Sequence, residues 1–128
     1  MYTVAVKRDF IARHYLTGGD WGDENKPHAH HYMIEVRLEG DALDEHGYLT
    51  DICDIETVLD ARIAYFRDRV LNDLPEFEGL NPSIEHLARI ICMSMAADIQ
   101  IQRLRAMAVQ LWENKSAWAQ YRQTFQSA

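Results

Sequence analysis

The sequence predicts an α+β fold in which two strands, two helices and two further strands build an antiparallel four-stranded sheet with both helices on one face. Three observations carry that expectation. Apolar and polar residues alternate with a period of two from Val4 to His14, from His28 to Leu38, and again beyond Leu104. Between these stretches the apolar positions recur at helical spacing. Glycine, proline and asparagine gather where one period gives way to the other.

In the first strand Val4, Val6, Phe10, Ala12 and His14 share a face, and in the second His28, His30, Tyr32, Ile34, Val36 and Leu38 do. Gly40 to Thr50 reads as a connection with a turn at Glu45-His46-Gly47. Ile55, Val58, Leu59, Ile63, Phe66 and Val70 then follow helical spacing, with Asp54 and Glu56 at the positive end of the helix dipole and an end near Leu71. Pro75 and Gly79 interrupt the segment from Asn72 to Asn81. A second helix begins at Asn81-Pro82 or Ser83, through capping and an N1 proline, with Ile84, Leu87, Ala88, Ile91 and Met95 as its stripe. Met107, Val109 and Leu111 return to strand alternation, Glu113 continues their face, and Asn114-Lys115 makes a tight turn into a last strand with Trp118 and Tyr121.

With 128 residues the chain is expected to form one domain, 1–128, large enough for a real core. No apolar run approaches membrane-spanning length and the N-terminus opens on strand-like sequence, so no membrane association and a cytoplasmic location are expected. Cys53 and Cys92 are unclustered, which fits a reducing compartment and gives no disulfide framework. A formal net charge of -7 argues against nucleic acid as a partner, since that affinity comes largely from Lys and Arg neutralising phosphates. It leaves room for a small anionic ligand held by a few basic residues. Gly18-Gly19 and Gly22 lack the spacing of a nucleotide-binding loop.

The chemistry concentrates in His14, His28 and His30, which all fall on the apolar faces of the first two strands. A hairpin pairing those strands sets His14 opposite His28 and diagonal to His30, close enough for three imidazoles to converge on one ion. The plainer alternative is a set of hydrogen-bonded core histidines. Three ligands with an open fourth position is the pattern of catalytic zinc. No fourth protein ligand is evident, because neither cysteine has Cys-x-x-Cys spacing. Glu113 is open to two readings, a solvated strand end or an acid that accepts two parallel hydrogen bonds from an amino-pyrimidinone edge.

The residues Phe10-x-Ala12-x-His14, His28-Ala29-His30-x-Tyr32, Gly47-Tyr48-Leu49-Thr50-Asp51-Ile52, Leu71-Asn72, Asn81-Pro82-Ser83-x-Glu85-x-Leu87-Ala88, and Glu113 with Tyr121 appear in one order along nearly the whole chain. In that order and spacing the chain resembles the 6-pyruvoyl-tetrahydropterin synthase family, which includes the 6-carboxy-tetrahydropterin synthases called QueD. The resemblance implies a T-fold, zinc at His14, His28 and His30, and pterin anchoring by Glu113. It also implies a pterin lyase acting on dihydroneopterin triphosphate, with zinc holding side-chain oxygens and acidifying adjacent carbon-bound hydrogens. A homotrimer or homohexamer is implied too, with sheets joined into a barrel and active sites built at subunit interfaces, which removes exposed sheet edges.

Two departures bear on mechanism. Where QueD-type members carry a catalytic cysteine, this chain has Glu24, beside Asp23. A desolvated carboxylate could transfer the proton in its place, as in a branch associated with folate-pathway cleavage that resembles this chain in carrying a glutamate near that position; the alternative is a solvated loop acid. The family's Asp-His pair before Leu71-Asn72 aligns with Arg67-Asp68, so the relay histidine is missing, and Asp68 is either its partial substitute or a helix-surface charge. Ala29 for glycine and Asn114 for threonine are milder changes. A non-catalytic homologue that keeps zinc and pterin is therefore the competing expectation, and a structural oligomer stabilised by its histidines is a third.

Overall fold

A computed structural model describes residues 1–126. Strands β1 (Tyr2–His14) and β2 (His28–Gly40) form a long hairpin, helices α1 (Ile52–Phe66) and α2 (Ile84–Ala96) follow, and β3 (Ala106–Trp112) and β4 (Trp118–Thr124) close the chain. The four strands pair antiparallel in the order β1-β2-β3-β4. One face of the sheet joins both helical stripes in a single core containing Phe10, Ile34, Leu38, Leu59, Ile91 and Met107. The α+β topology expected from the periodicity is the one observed.

Register is what positions the site. A slip of one residue would turn the whole apolar set of a strand to the other face, so burial of that set fixes the pairing. Phe10 lies opposite Tyr32, Ala12 opposite His30 and His14 opposite His28. The hairpin therefore brings all three histidines to one end of the core face.

Helix α1 is capped by Asp51, whose carboxylate accepts from the Cys53 N–H, but it ends at Phe66 and not near Leu71. Asp68 takes a left-handed backbone, φ 62°, and the chain turns to lie along the free edge of β1. There the Asp68 N–H donates to the Ile11 carbonyl at 2.7 Å and the Arg13 N–H to the Arg69 carbonyl at 2.8 Å. Backbone pairing with an open sheet edge outweighs a further helical turn. Val70 belongs to that edge, forming a parallel bridge with Arg13, and not to the helical stripe.

Helix α2 is capped by Ser83, whose hydroxyl accepts from the His86 N–H at 3.2 Å. Pro82 thus precedes the cap and is not the first helical residue. Strand β3 ends at Trp112, one residue before Glu113. The turn into β4 is wider than Asn114-Lys115 alone, because the Glu113 N–H donates to the Ala117 carbonyl and Asn114 Oδ1 accepts from the Ser116 and Ala117 N–H groups. No helix among the described residues is long and apolar enough to cross a membrane.

Candidate metal centre

Alternation puts His14, His28 and His30 on one face, and the register gathers them at the end of the hairpin. One ligand atom from each lies within 4.8 Å of the others. Ring centroids are 4.6–4.8 Å apart and the rings stand edge to face. Two carbonyls aim two of the rings. His14 Nδ1 donates to the Pro82 carbonyl at 2.8 Å, and His28 Nδ1 donates to the Lys26 carbonyl at the same distance. This tautomer leaves both Nε2 atoms as lone-pair donors to a third party.

For His28, no protein group among the described residues takes that place. Nε2 of His28 and Nε2 of His30 are buried without a hydrogen-bond partner. A buried polar atom in that state is costly, and convergent imidazole lone pairs are the donor set that a divalent cation satisfies. The residues present fit a metal ion. Burial holds the pKa of His14 and of His30 below the ordinary value, and nearby imidazoles add to this, although the Pro82 carbonyl at His14 and Glu113 at both oppose it. Both rings are thereby biased to the neutral form that binds metal.

Glu113 is half-buried beside this cluster, its Oε1 3.3 Å from His30 Nε2 and 4.0 Å from His14 Nε2. It also lines a cavity of about 510 Å³ with Lys7, His31, Met33, Trp112 and Lys115. The Tyr32 ring lies 5.7 Å from that of His30, and its hydroxyl is another buried atom without a partner. Burial, then the charge of Glu113, pushes the Tyr32 pKa up.

Glu24 sits exposed on a short 3-10 turn, Gly22–Asn25, and its charge acts on His30. The loop that carries it is fastened at several points. The Leu16 N–H donates to the Glu24 carbonyl at 2.8 Å, and the Asn25 side chain donates to the Leu16 and Gly19 carbonyls and accepts from the Trp21 N–H. Asn72 clamps both backbone groups of Tyr15, and Asn81 accepts from the Thr17 N–H. Asp68 is not gathered with the histidines. It is exposed at the β1 edge, and its carboxylate has no hydrogen bond or ion pair among the described residues. Neither thiol fills the family cysteine's place: Cys92 packs in the core, where burial pushes its pKa up to about 11, and Cys53 is exposed in the first turn of α1.

The carbonyls of Pro82 and Lys26 escaped the sequence reading because any residue supplies one. The two prolines nearby were the available signal, since Pro82 and Pro27 stiffen the backbone at those points.

A four-stranded antiparallel sheet carrying two helices, with three convergent imidazoles at one end of its first hairpin, defines a small α+β protein with a candidate metal centre. The chain belongs to the 6-pyruvoyl tetrahydropterin synthase family, whose model matches residues 3–124. Comparison with curated protein sequences finds no match. Among solved structures, the Caenorhabditis elegans 6-pyruvoyl tetrahydropterin synthase is similar over 97% of this chain and 98% of its own, at 19% identity and a TM-score of 0.78. A catalytic-residue variant of the Plasmodium vivax synthase is similar over 97% and 98%, at 13% identity and a TM-score of 0.80. A putative dihydroneopterin aldolase from Vibrio cholerae is similar over 98% of both chains, at 13% identity and a TM-score of 0.61. At these identities the likeness establishes the fold, which is the T-fold.

Proposed function

We propose that this chain is a zinc-dependent pterin lyase acting on the side chain of 7,8-dihydroneopterin triphosphate or a close analogue. The observation that carries the reading is the pair of orphaned, buried Nε2 atoms of His28 and His30, with the Glu113 carboxylate beside that of His30. His14, His28 and His30 would hold the ion, which when bound supplies Lewis-acid polarisation of substrate oxygens. Glu113 orients the pterin by accepting two parallel hydrogen bonds from adjacent ring donors. Glu24 moves the proton, standing where QueD-type relatives use cysteine, and the fastened loop keeps it near His30. The catalytic residue replaced in the P. vivax variant is a glutamate, which supports an acid in this role. Asp68 joins this set where a second subunit covers the β1 edge. The working unit is a cytoplasmic homotrimer or homohexamer.

Glu24→Gln should lower turnover by at least about a hundredfold with zinc retained, since positioned acid–base groups contribute ~10²–10⁴-fold. Turnover at the wild-type rate would make Glu24 a bystander. The exposed position of Asp68, with no histidine beside it, favours one competitor, a homologue that binds zinc and pterin without turnover. Tight pterin binding with no product from either wild type or Glu24→Cys would establish that competitor.

A further inference from the structure

We propose that Glu113 is a fourth, displaceable protein ligand of the metal centre, occupying it when no pterin is bound. The three histidines leave one position of a tetrahedral site open, and no cysteine can fill it. Ligand atoms of a tetrahedral zinc site bonded at 2.0–2.2 Å stand about 3.3–3.6 Å from one another. Glu113 Oε1 lies 3.3 Å from His30 Nε2 and 4.0 Å from His14 Nε2, one separation inside that range and one slightly beyond it. The short approach is not a hydrogen bond, because His30 Nε2 is without a hydrogen-bond partner despite the nearby carboxylate. Two lone-pair donors at ligand-to-ligand spacing, neither satisfying the other, are what a shared cation would join, and with metal bound the Glu113 carboxylate would turn in to complete the group that His14, His28 and His30 form without it.

The backbone supports such a role. Glu113 is pinned at the mouth of the β3–β4 turn by its own N–H and by Asn114, so the carboxylate reaches the imidazoles from a fixed base. The side chain is half-buried and borders the cavity on its other side. One carboxylate therefore faces two clients and cannot serve both at full strength. Without ligand, Glu113 closes the metal site; a pterin that draws its oxygens away opens a coordination position where substrate oxygens arrive. The exchange half of this inference rests on the pterin-anchoring reading of Glu113, and the ligation half does not.

Cobalt(II)-loaded protein separates the two. Replacement of outer-shell partners typically costs 10–100-fold in metal affinity, so Glu113→Gln, which loses a direct ligand, should bind cobalt at least about tenfold more weakly in chelator competition. Azide should bind the cobalt of Glu113→Gln more tightly than that of wild type. Glu113→Asp keeps the charge but withdraws the oxygen, and should behave like Glu113→Gln; wild-type affinity in Glu113→Asp would reduce the effect to charge alone and overturn ligation. Matching thermal melts of the metal-free forms show that both variants are folded, and equal cobalt and azide affinities in all three proteins would also overturn it. Unsubstituted pterin, which has the ring donors but no side-chain oxygens, should move the wild-type cobalt spectrum toward that of Glu113→Gln. A spectrum left unchanged by bound pterin overturns the exchange alone. Absence of cobalt from wild type overturns the three-histidine reading and this one with it.

Discussion

Two of the three histidines are aimed by carbonyls of different origin. His14 is held by the carbonyl of Pro82, a residue distant in sequence, whereas His28 is held by Lys26 two residues before it. Replacing His28 with Ala should remove zinc, about one per chain in wild type, and full occupancy by elemental analysis would show the site to be misassigned. Metal-free protein should also respond to pH in a definite sense. Burial lowers the native pKa of His14 and His30 below the ordinary 6.5, so the unfolded chain binds protons first as pH falls. Their contribution to stability is complete above 6.5 and is lost as pH drops through the depressed native values. Urea midpoints on either side of 6.5 check this, and a flat profile in that range would contradict it.

The two hairpins and two helices explain why the site forms at one end of the sheet. Gly40 closes β2 where only a hydrogen fits, since a Cβ there would lie 2.4 Å from the Arg103 carbonyl oxygen and 2.6 Å from Leu49 Cδ1. Gly40→Ala should therefore destabilise the protein by ~1–3 kcal/mol, as overpacking does, and an unchanged denaturation midpoint would refute the close approach. Strand alternation was legible because burial of one face enforces it, and with it came the pairing of His14 with His28. The end of α1 was not. Val70 continues the helical spacing, yet the unpaired edge of β1 claims the backbone of residues 68–70, a long-range demand that local pattern does not carry. Of the two starts that the sequence offered for α2, Asn81-Pro82 and Ser83, the structure takes the second, a local cap legible in the sequence, and this frees the Pro82 carbonyl for His14. The wider β3–β4 turn follows from Asn114 folding its side chain onto its own loop.

At the scale of the whole molecule, the sheet is covered on one face only, and its outer face carries Ile11, Met33 and Trp118 exposed among charged neighbours such as Lys7, Glu35 and Arg37. The edges, β1 and β4, have few partners beyond the short 68–70 segment. Closing such sheets edge to edge into a barrel satisfies both, so light scattering should report a trimer or hexamer; a monomer at all concentrations would count against an interface-built site. The proposed function has the convergent imidazoles hold a metal used on a pterin side chain. Its most direct measurement is turnover of 7,8-dihydroneopterin triphosphate by zinc-loaded wild type beside His28→Ala, with zinc determined in the same samples. Product from wild type, and loss of product and zinc together in His28→Ala, is the expected result; product from a zinc-free His28→Ala at the wild-type rate would contradict it.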